Sequence, residues 1–198
     1  MRLFDRLPNH IISNGKKIRL DLDFRNVLRM MDIMSRDDLM PDARDYLSLK
    51  CICKHPKKGM MPDVKKFLFG DAPQDYHERI TDYEQDADLI ASAFMQAYGI
   101  NLFRQKLHWF EFICFLSCIP EGSKYSDILS IRARPVPSAT KYNQEERDWL
   151  IKAKAEFALK LTEAEQEKKY HESLKSMSSG IMAMLKGDEN SGRRTSNL

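Results

Sequence analysis

Residues 82–137 read DYEQDADLIASAFMQAYGINLFRQKLHWFEFICFLSCIPEGSKYSDILSIRARPVP and concentrate the core-forming potential of the chain. Asp82 is predicted to begin one helix and Gly99 to end it, because carboxylates favour helix N-termini and glycine favours the left-handed turn after a C-terminus. The helix expected within residues 107–118 is apolar on most sides, which indicates a central position among several neighbours. A third helix carries an apolar stripe and ends before Pro135, which cannot continue it. This pattern predicts a helical packing module.

A short β-hairpin is predicted near the N-terminus. Asn14 and Gly15 supply the two positive-φ residues of a type I′ turn, and apolar residues alternate around them within residues 11–20. An isolated two-stranded hairpin is only marginally stable in water, so we expect this one to lie on the helical body. Either Asp21 or Asp23 then caps the first helix.

A long helix is predicted after the prolines that follow the third helix. Asn143 and Glu146 have the spacing of a capping box, which would begin this helix. Apolar side chains at helical spacing can reach the core as far as Leu161. Residues 162–173 are polar on all sides, so we expect the helix to project into solvent there. The charged and small residues of 187–198 predict a disordered tail.

These patterns together predict a mainly α fold. It consists of a compact multi-helix domain with a short N-terminal β-hairpin and a long C-terminal helix that ends in a flexible tail. We assign the helical domain with its hairpin to residues 1–161, and the projecting helix with the polar tail to residues 162–198. A chain of 198 residues suits one domain with an appendage and needs no disulfide to bury a core.

The charges of the chain are nearly balanced. It carries 32 basic and 29 acidic residues, a formal net charge of +3, without the single basic stripe that is typical of nucleic-acid-binding domains. Three separate basic clusters could still contact phosphates, at residues 54–58, 65–66 and 132–134. We do not expect nucleic-acid binding as the main function, but a nucleic-acid-associated regulatory protein stays the alternative.

The most apolar segment, residues 107–118, would span about 18 Å as a helix, against roughly 30 Å for the hydrocarbon core of a membrane. No apolar run follows the charged residues at the start of the chain, as it would in a secretory signal. The four cysteines are therefore expected to be reduced thiols in a cytosol. We expect a soluble intracellular protein with no membrane partner.

The sharpest candidate for a metal site is a set of possible ligands on one face of the central helix: His108, Glu111, Cys114 and Cys118. Further ligands could come from Cys51, Cys53 and His55. The spacing differs from the paired cysteines that mark structural zinc sites, and buried cysteine commonly behaves as a small apolar residue. Core packing is therefore favoured, and we expect no metal and no other cofactor.

No catalytic signature interrupts the helical pattern. The sequence lacks a Gly-rich phosphate loop, a Gly-x-Ser-x-Gly nucleophile and a His-Glu-x-x-His metal motif. The five histidines are scattered, so a cysteine nucleophile would depend on the fold to bring a base near it. We expect no catalytic residue and no enzymatic activity.

The best candidate for partner binding lies near the C-terminus, where apolar residues recur at helical spacing: Leu174, Met177, Ile181, Met182, Met184 and Leu185. Flexible thioether side chains adapt to varied apolar partners, and amphipathic helices dock into apolar grooves. Gly180 weakens a rigid helix, which fits a segment that orders on contact. Two interpretations stay open: this segment binds a partner, or it folds back on the body or frays.

Several short motifs follow one another in a specific order: Asp23-Phe24-Arg25, Asp82-Tyr83-x-x-Asp86-Ala87, Ala93-Phe94-x-x-x-Tyr98-Gly99-Ile100, Leu107-His108-Trp109-Phe110-x-Phe112, Pro120-Glu121-x-x-Lys124-Tyr125-x-x-Ile128 and Ile131-Arg132-x-Arg134. Together with the early hairpin, this order resembles the tail assembly chaperones of long-tailed bacteriophages and related prophages, in the branch typical of Gram-positive hosts. The resemblance covers about residues 7–158. Residues 54–76 fit the family less well, and nothing after Leu161 resembles it.

The resemblance implies a non-enzymatic assembly factor, encoded between the major tail protein and the tape-measure protein. Such a protein would bind the long, aggregation-prone tape-measure protein and recruit tail-tube subunits of the major tail protein. Self-association is a further expectation, because many copies are needed to cover a long client. The resemblance places it in the host cytoplasm during phage assembly and not in the mature virion. It carries over no catalytic residue, and a nucleic-acid-associated regulatory protein of a phage stays the alternative.

Overall fold

The computed structural model describes residues 5–70 and 79–161, together with residues 166, 170 and 171. Contacts divide the chain into two units, Met1–Phe157 and Ala158–Leu198. The described residues of the first unit form β1 (His10–Ser13), β2 (Lys16–Arg19), α1 (Phe24–Met34), α2 (Pro41–Ile52), α3 (Met61–Phe69), α4 (Ala87–Tyr98), α5 (Trp109–Ser117), α6 (Lys124–Ala133) and α7 (Gln144–Glu156). The predicted mainly α fold with a short N-terminal hairpin is confirmed. The predicted tail lies outside the described residues.

The hairpin forms where its turn residues predict it. β1 and β2 pair antiparallel with Ile11 opposite Ile18, and the turn between them has φ of 49° at Asn14 and 69° at Gly15. These two positive values are the requirement of a type I′ turn. Ile11 is buried in the main hydrophobic core, so the hairpin lies on the helical body as expected.

The core is organised around the ring of Phe112 on α5. This ring stacks on Phe24 of α1 at 4.7 Å and on Phe94 of α4 at 5.4 Å between ring centroids. Offset aromatic pairs contribute about 0.5–1.5 kcal/mol beyond the burial of their area. α5 is thus central, as predicted, and Phe115 in its second half also packs on Phe94, but one side of the helix faces solvent, because Cys114 is exposed.

The start of α4 differs from the sequence-based prediction. Asp82 does not cap a helix; its Oδ1 accepts hydrogen bonds from the amides of Glu84 and Gln85 in a preceding turn. The N-cap position belongs to Asp86, whose side chain makes no capping hydrogen bond; its carboxylate is engaged instead in tertiary contacts described below. The predicted end is confirmed: Gly99 has φ of 66°, and its N–H donates to the carbonyl of Met95.

Two predictions for α7 are wrong. The helix follows Asn143, but the capping box does not form, because Asn143 Oδ1 accepts from the amide of Thr140 and Glu146 pairs with Arg134. The helix ends at Glu156, and residues 158–161 are not helical. The expected continuation of α7 as far as Leu161 is therefore wrong, and most of the polar segment 162–173 lies outside the described residues.

Two further predictions concern the first helix and the membrane. Of the two possible caps of α1, the structure uses Asp23, whose Oδ1 accepts from the amide of Arg25 at 3.1 Å. None of the helices in the described part of the chain combines the length and the apolar character that crossing a membrane requires.

Candidate functional site

An aromatic side chain projects into solvent from the connection between α4 and α5. Phe103 is 72% exposed, whereas its neighbour Leu102 is buried. Asn101 closes the turn that carries both residues: its Oδ1 accepts from the amide of Phe103 at 3.0 Å, and its carbonyl accepts from the amides of Arg104 and Gln105. The exposed ring therefore sits on a turn held by its own hydrogen bonds.

Arg25 at the start of α1 ties this turn to the helical body. Its Nη2 donates to the carbonyl of Leu102 at 2.7 Å and to the carbonyl of Gln105 at 2.8 Å. Its Nη1 pairs with the carboxylate of Asp23 at 3.4 Å, and its guanidinium lies 5.0 Å from the ring centroid of Phe24. Hydrogen bonds from a charged donor are among the stronger ones, so the clamp holds Phe103 in place.

Two apolar depressions flank Phe103. One, of about 190 Å³, lies between α1, α4 and α5 and is lined by apolar side chains that include Leu28, Tyr83, Ile90 and Phe112. The other, of about 510 Å³, runs along the outer side of α4 and includes Ala91 and Met95. Leu102 and Phe103 line both.

We call the exposed Phe103 and Met95 with these two depressions the Phe103 surface. Met95 is 47% exposed, and its flexible thioether can adapt to partners of varied shape. A protruding aromatic ring beside apolar depressions can bind apolar side chains of another protein, because such anchors supply most of the energy of protein interfaces. Asp88 and Arg25 at its margins supply charges of both signs.

A buried ion pair supports the helix that carries this surface. Arg132 of α6 donates to Asp86 through Nη1–Oδ2 at 2.7 Å and Nη2–Oδ1 at 2.9 Å. Asp86 is only 2% exposed. Arg132 also donates to the carbonyls of Ile80 and Phe157. The guanidinium thereby joins the residue before α4 to the end of α7.

The electrostatics of this pair follow from its contacts. Burial by itself would raise the pKa of Asp86, but hydrogen bonds from Arg132, the Asp82 amide and Thr81 outweigh it. The pKa of the carboxyl therefore lies below its ordinary value. Burial also raises the pKa of the neighbouring Tyr125, whose hydroxyl lies 3.0 Å from that of Thr81. Asp86 is thus a structural group whose charged form is favoured by its contacts.

The structure gives His108 and Glu111 a role that the metal hypothesis did not include. His108 is the N-cap of α5: its Nδ1 accepts from the amide of Phe110 at 3.3 Å, and Glu111 Oε2 accepts from the amide of His108 at 3.1 Å. The Nε2 of His108 bonds the carbonyl of Pro8 at 3.2 Å. Among the described residues, no group of three or more His, Cys, Asp or Glu side chains could hold a metal ion.

The cysteines are not brought together. All four are free thiols, with Cys53 buried and Cys114 and Cys118 exposed. Cys51 is half-buried, and burial raises the pKa of its thiol. That shift disfavours the thiolate that nucleophilic chemistry requires.

The predicted basic clusters do not form one surface, and their residues make different kinds of contact. Arg132 is buried in the ion pair with Asp86, and Arg134 pairs with Glu146 on the surface. Lys54 and Lys57 line a groove together with basic residues of β2, whereas Lys65 is exposed on α3. The partner-binding residues predicted near the C-terminus (Leu174, Met177, Ile181, Met182, Met184 and Leu185) lie outside the described residues.

The Phe103 surface was not foreseen from the sequence. Residues 100–106 read as a connector, and neither a helical nor a strand period draws attention to one phenylalanine within it. A weak signal was present, because Asn101 favours a turn and an aromatic residue follows within two positions. The anchor of the turn, Arg25, lies 77 residues away and had no local signal at all.

Comparison with known protein families gives one match. A family model described as Bacteriophage Gp15 protein matches residues 57–159, a range that contains α3 to α7, the Phe103 turn and both partners of the Asp86–Arg132 pair. No curated protein and no solved structure matched the chain. The matched range is 103 of the 198 residues, and with more than half of its length covered the chain belongs to the Bacteriophage Gp15 protein family.

Proposed function

We propose that this bacteriophage protein is a non-enzymatic tail assembly chaperone, which binds the tape-measure protein and recruits tail-tube subunits while the tail is built. The Phe103 surface is the observation that carries the proposal. It presents an exposed aromatic ring, an exposed methionine and two apolar depressions on one face of the domain. Such a face suits the apolar side of a client helix, which docks by inserting side chains at helical spacing into a groove.

The anchoring of the turn supports a binding role over accidental exposure. A lone exposed phenylalanine on a surface is common and needs no explanation. Here, however, Arg25 uses two hydrogen bonds to fix the turn, and Asn101 adds three. A turn whose backbone is held in this way loses little conformational entropy when it binds, which raises the affinity for an apolar partner.

The chemistry of the ionisable groups supports a non-enzymatic role. Asp86, the most buried carboxylate among the described residues, is already saturated by Arg132 and by backbone and hydroxyl donors. The pKa of Cys51 is shifted in the direction opposite to that of an activated thiol. Both ring nitrogens of His108 are engaged in hydrogen bonds, Nδ1 with the amide of Phe110 and Nε2 with the carbonyl of Pro8. These groups hold the fold together and are not prepared to transfer protons or attack a substrate.

The test is co-expression of this chain with the protein encoded just downstream, with the soluble fraction assayed for a complex. We expect a long helical protein that is insoluble alone and becomes soluble and co-purifies with the wild-type chain. Phe103→Asp should leave this client in the pellet. Tyr142→Asp is the matched control, because Tyr142 is also an exposed aromatic residue but lies outside the Phe103 surface.

Two outcomes would count against the proposal. A downstream product that is short, soluble by itself or indifferent to this chain removes the tail-assembly role. Equal solubilisation by wild type and Phe103→Asp removes the Phe103 surface as the client site, while leaving open a site within residues 174–185.

A further inference from the structure

A basic groove runs along the outer edge of the hairpin. It has a volume of about 910 Å³ and lies between β2 and the C-terminal end of α2. Its basic lining residues come from both segments: Lys17, Arg19, Lys50, Lys54, His55 and Lys57. Among the described residues of the lining, the single carboxylate is Asp21. The fold thus brings basic residues of the hairpin next to a basic cluster more than thirty positions later in the sequence. Together the two groups form one positively charged surface.

The charges of this groove are not neutralised within the described part of the chain. There, Lys17, Arg19, Lys54 and Lys57 have no ion-pair partner, and all four are exposed. Lys58, which follows directly, is different because it pairs with Asp42 at 2.9 Å. Unpaired cations that line one groove favour an anionic partner.

The backbone of β2 adds a second feature to the groove. In a two-residue type I′ hairpin, the backbone groups of Ser13 and Lys16 exchange hydrogen bonds. Because hydrogen-bonded and non-hydrogen-bonded pairs alternate along an antiparallel ladder, the amide and carbonyl of Ile18 also point toward β1. The amide and carbonyl groups of Lys17 and Arg19 consequently point away from β1, into the groove. The next position in this alternation, Asp21, already donates its amide to the carbonyl of Ile52 at 2.7 Å.

An open strand edge of this kind can pair with another strand. The edge offers backbone donors and acceptors at Lys17 and Arg19, and the Asp21–Ile52 hydrogen bond closes it at one end. An extended peptide would pair with this edge, and its acidic side chains would meet the basic residues on either side. Addition of a strand to an exposed sheet edge is an established mode of peptide recognition.

We propose that this groove binds an extended acidic segment of a partner protein, which adds as a third strand to β2. A nucleic acid would also satisfy the charge, but single-stranded nucleic acids rely on aromatic platforms for their bases. The described residues that line the groove include no Phe, Tyr or Trp. The proposal goes beyond the chaperone role and does not depend on it, since the Phe103 surface is built from other elements.

The first test measures binding of the full chain to a fluorescein-labelled ten-residue peptide of alternating Glu and Val by fluorescence anisotropy. The double variant Lys17→Glu/Lys54→Glu should weaken binding by about tenfold or more, because it places repulsive charge in the groove. Lys65→Glu/Lys141→Glu is the matched control: it changes the net charge equally at two exposed lysines outside the groove. Circular dichroism of all three proteins checks that they fold alike.

The second test addresses the strand edge without changing the protein. Two versions of the peptide carry N-methyl groups at alternate residues, one version at the odd and one at the even positions. Only one set of amides can face β2, so we expect one version to lose binding and the other to keep it.

Three outcomes would overturn the proposal. The first is no binding of the unmodified peptide at millimolar concentration. The second is equal binding of the two methylated versions and the unmodified peptide, which would leave a charged groove with no strand pairing. The third is a labelled oligo-dT 20-mer that binds more tightly than the peptide and loses affinity in Lys17→Glu/Lys54→Glu, which would make the groove a nucleic-acid site.

Discussion

Arg132 and Asp86 form a bidentate ion pair, with Nη1–Oδ2 at 2.7 Å and Nη2–Oδ1 at 2.9 Å, between residues that lie 46 positions apart. Both side chains are largely removed from solvent, at 11% and 2% exposure. Burying two charges costs solvation energy, which is recovered only when the geometry is good and the remaining polar atoms have partners. Here the Asp82 amide and the Ile80 and Phe157 carbonyls provide those partners.

Asp86→Ala should lower the free energy of unfolding by about 3–5 kcal/mol, because it leaves the Arg132 guanidinium buried without its counter-ion. Urea denaturation followed by circular dichroism measures this loss. Arg134→Ala is the control two positions from Arg132; its pair with Glu146 is exposed and should contribute at most about 1 kcal/mol. Equal losses in the two variants would show that the buried pair is not the main link between α4 and α6.

The stability of the protein should depend on pH through Asp86. Burial alone would raise the pKa of its carboxyl, but hydrogen bonds from Arg132 and the Asp82 amide lower it below the ordinary value. In the unfolded chain this carboxyl has a pKa of about 3.9. The stabilisation is therefore fully present above that pH, and it is lost as the pH falls through the lower pKa of the folded state.

Urea unfolding between pH 7 and pH 2 measures this contribution. Wild type should lose more stability below about pH 4 than Asp86→Asn, which has no such carboxyl to protonate. Asp38→Asn serves as the control, because Asp38 is exposed and pairs with Arg36 at the surface; its curve should stay close to that of wild type. Parallel curves for wild type and Asp86→Asn would contradict the prediction.

The two phenylalanines near α5 should respond very differently to the same substitution. Phe103→Ala should change the free energy of unfolding by no more than about 0.5 kcal/mol, since its ring is exposed. Phe112→Ala should cost about 3–5 kcal/mol, because it opens a cavity between Phe24 and Phe94. Thermal unfolding of both variants tests this. A large loss in Phe103→Ala would mean that this ring supports the fold and is not held out for a partner.

His108→Ala should destabilise the protein by about 1 kcal/mol, because the amide of Phe110 loses its acceptor at the start of α5. His108→Asn keeps a side-chain acceptor at the N-cap and should lose less. Chemical denaturation of both variants gives the comparison. The capping role would be refuted by Asn and Ala variants that are equally unstable.

Ending the chain after Leu161 should leave the helical body folded and weaken client binding. The first contact unit ends at Phe157, so its free energy of unfolding should match that of the full chain. The co-expression assay then measures the loss of client solubilisation that the removal of residues 174–185 would produce. Unchanged solubilisation by the truncated chain would contradict a role for that segment.

Local chemistry was enough to predict the elements whose geometry depends on neighbouring residues. The turn at Asn14 and Gly15 and the glycine stop at Gly99 form as their residue types predict, and the first helix is capped by Asp23, one of the two candidates. Each depends on backbone conformations and hydrogen bonds that span at most a few positions. For the same reason the mainly α fold and its one described hairpin could be predicted without any knowledge of distant contacts.

Only the tertiary structure decided how the charged residues are used. Asp82 and Asp86 look alike in the sequence, yet Asp86 pairs with Arg132, 46 positions away, whereas Asp82 pairs with the nearby Arg79. Glu146 could have completed a capping box with Asn143, but its carboxylate forms an ion pair with Arg134 instead. A long charged side chain has many possible partners within its reach, and the choice among them depends on which helices lie side by side. The clamp of Arg25 on the Phe103 turn and the basic groove beside β2 arise in the same way, from residues that meet only after the chain has folded.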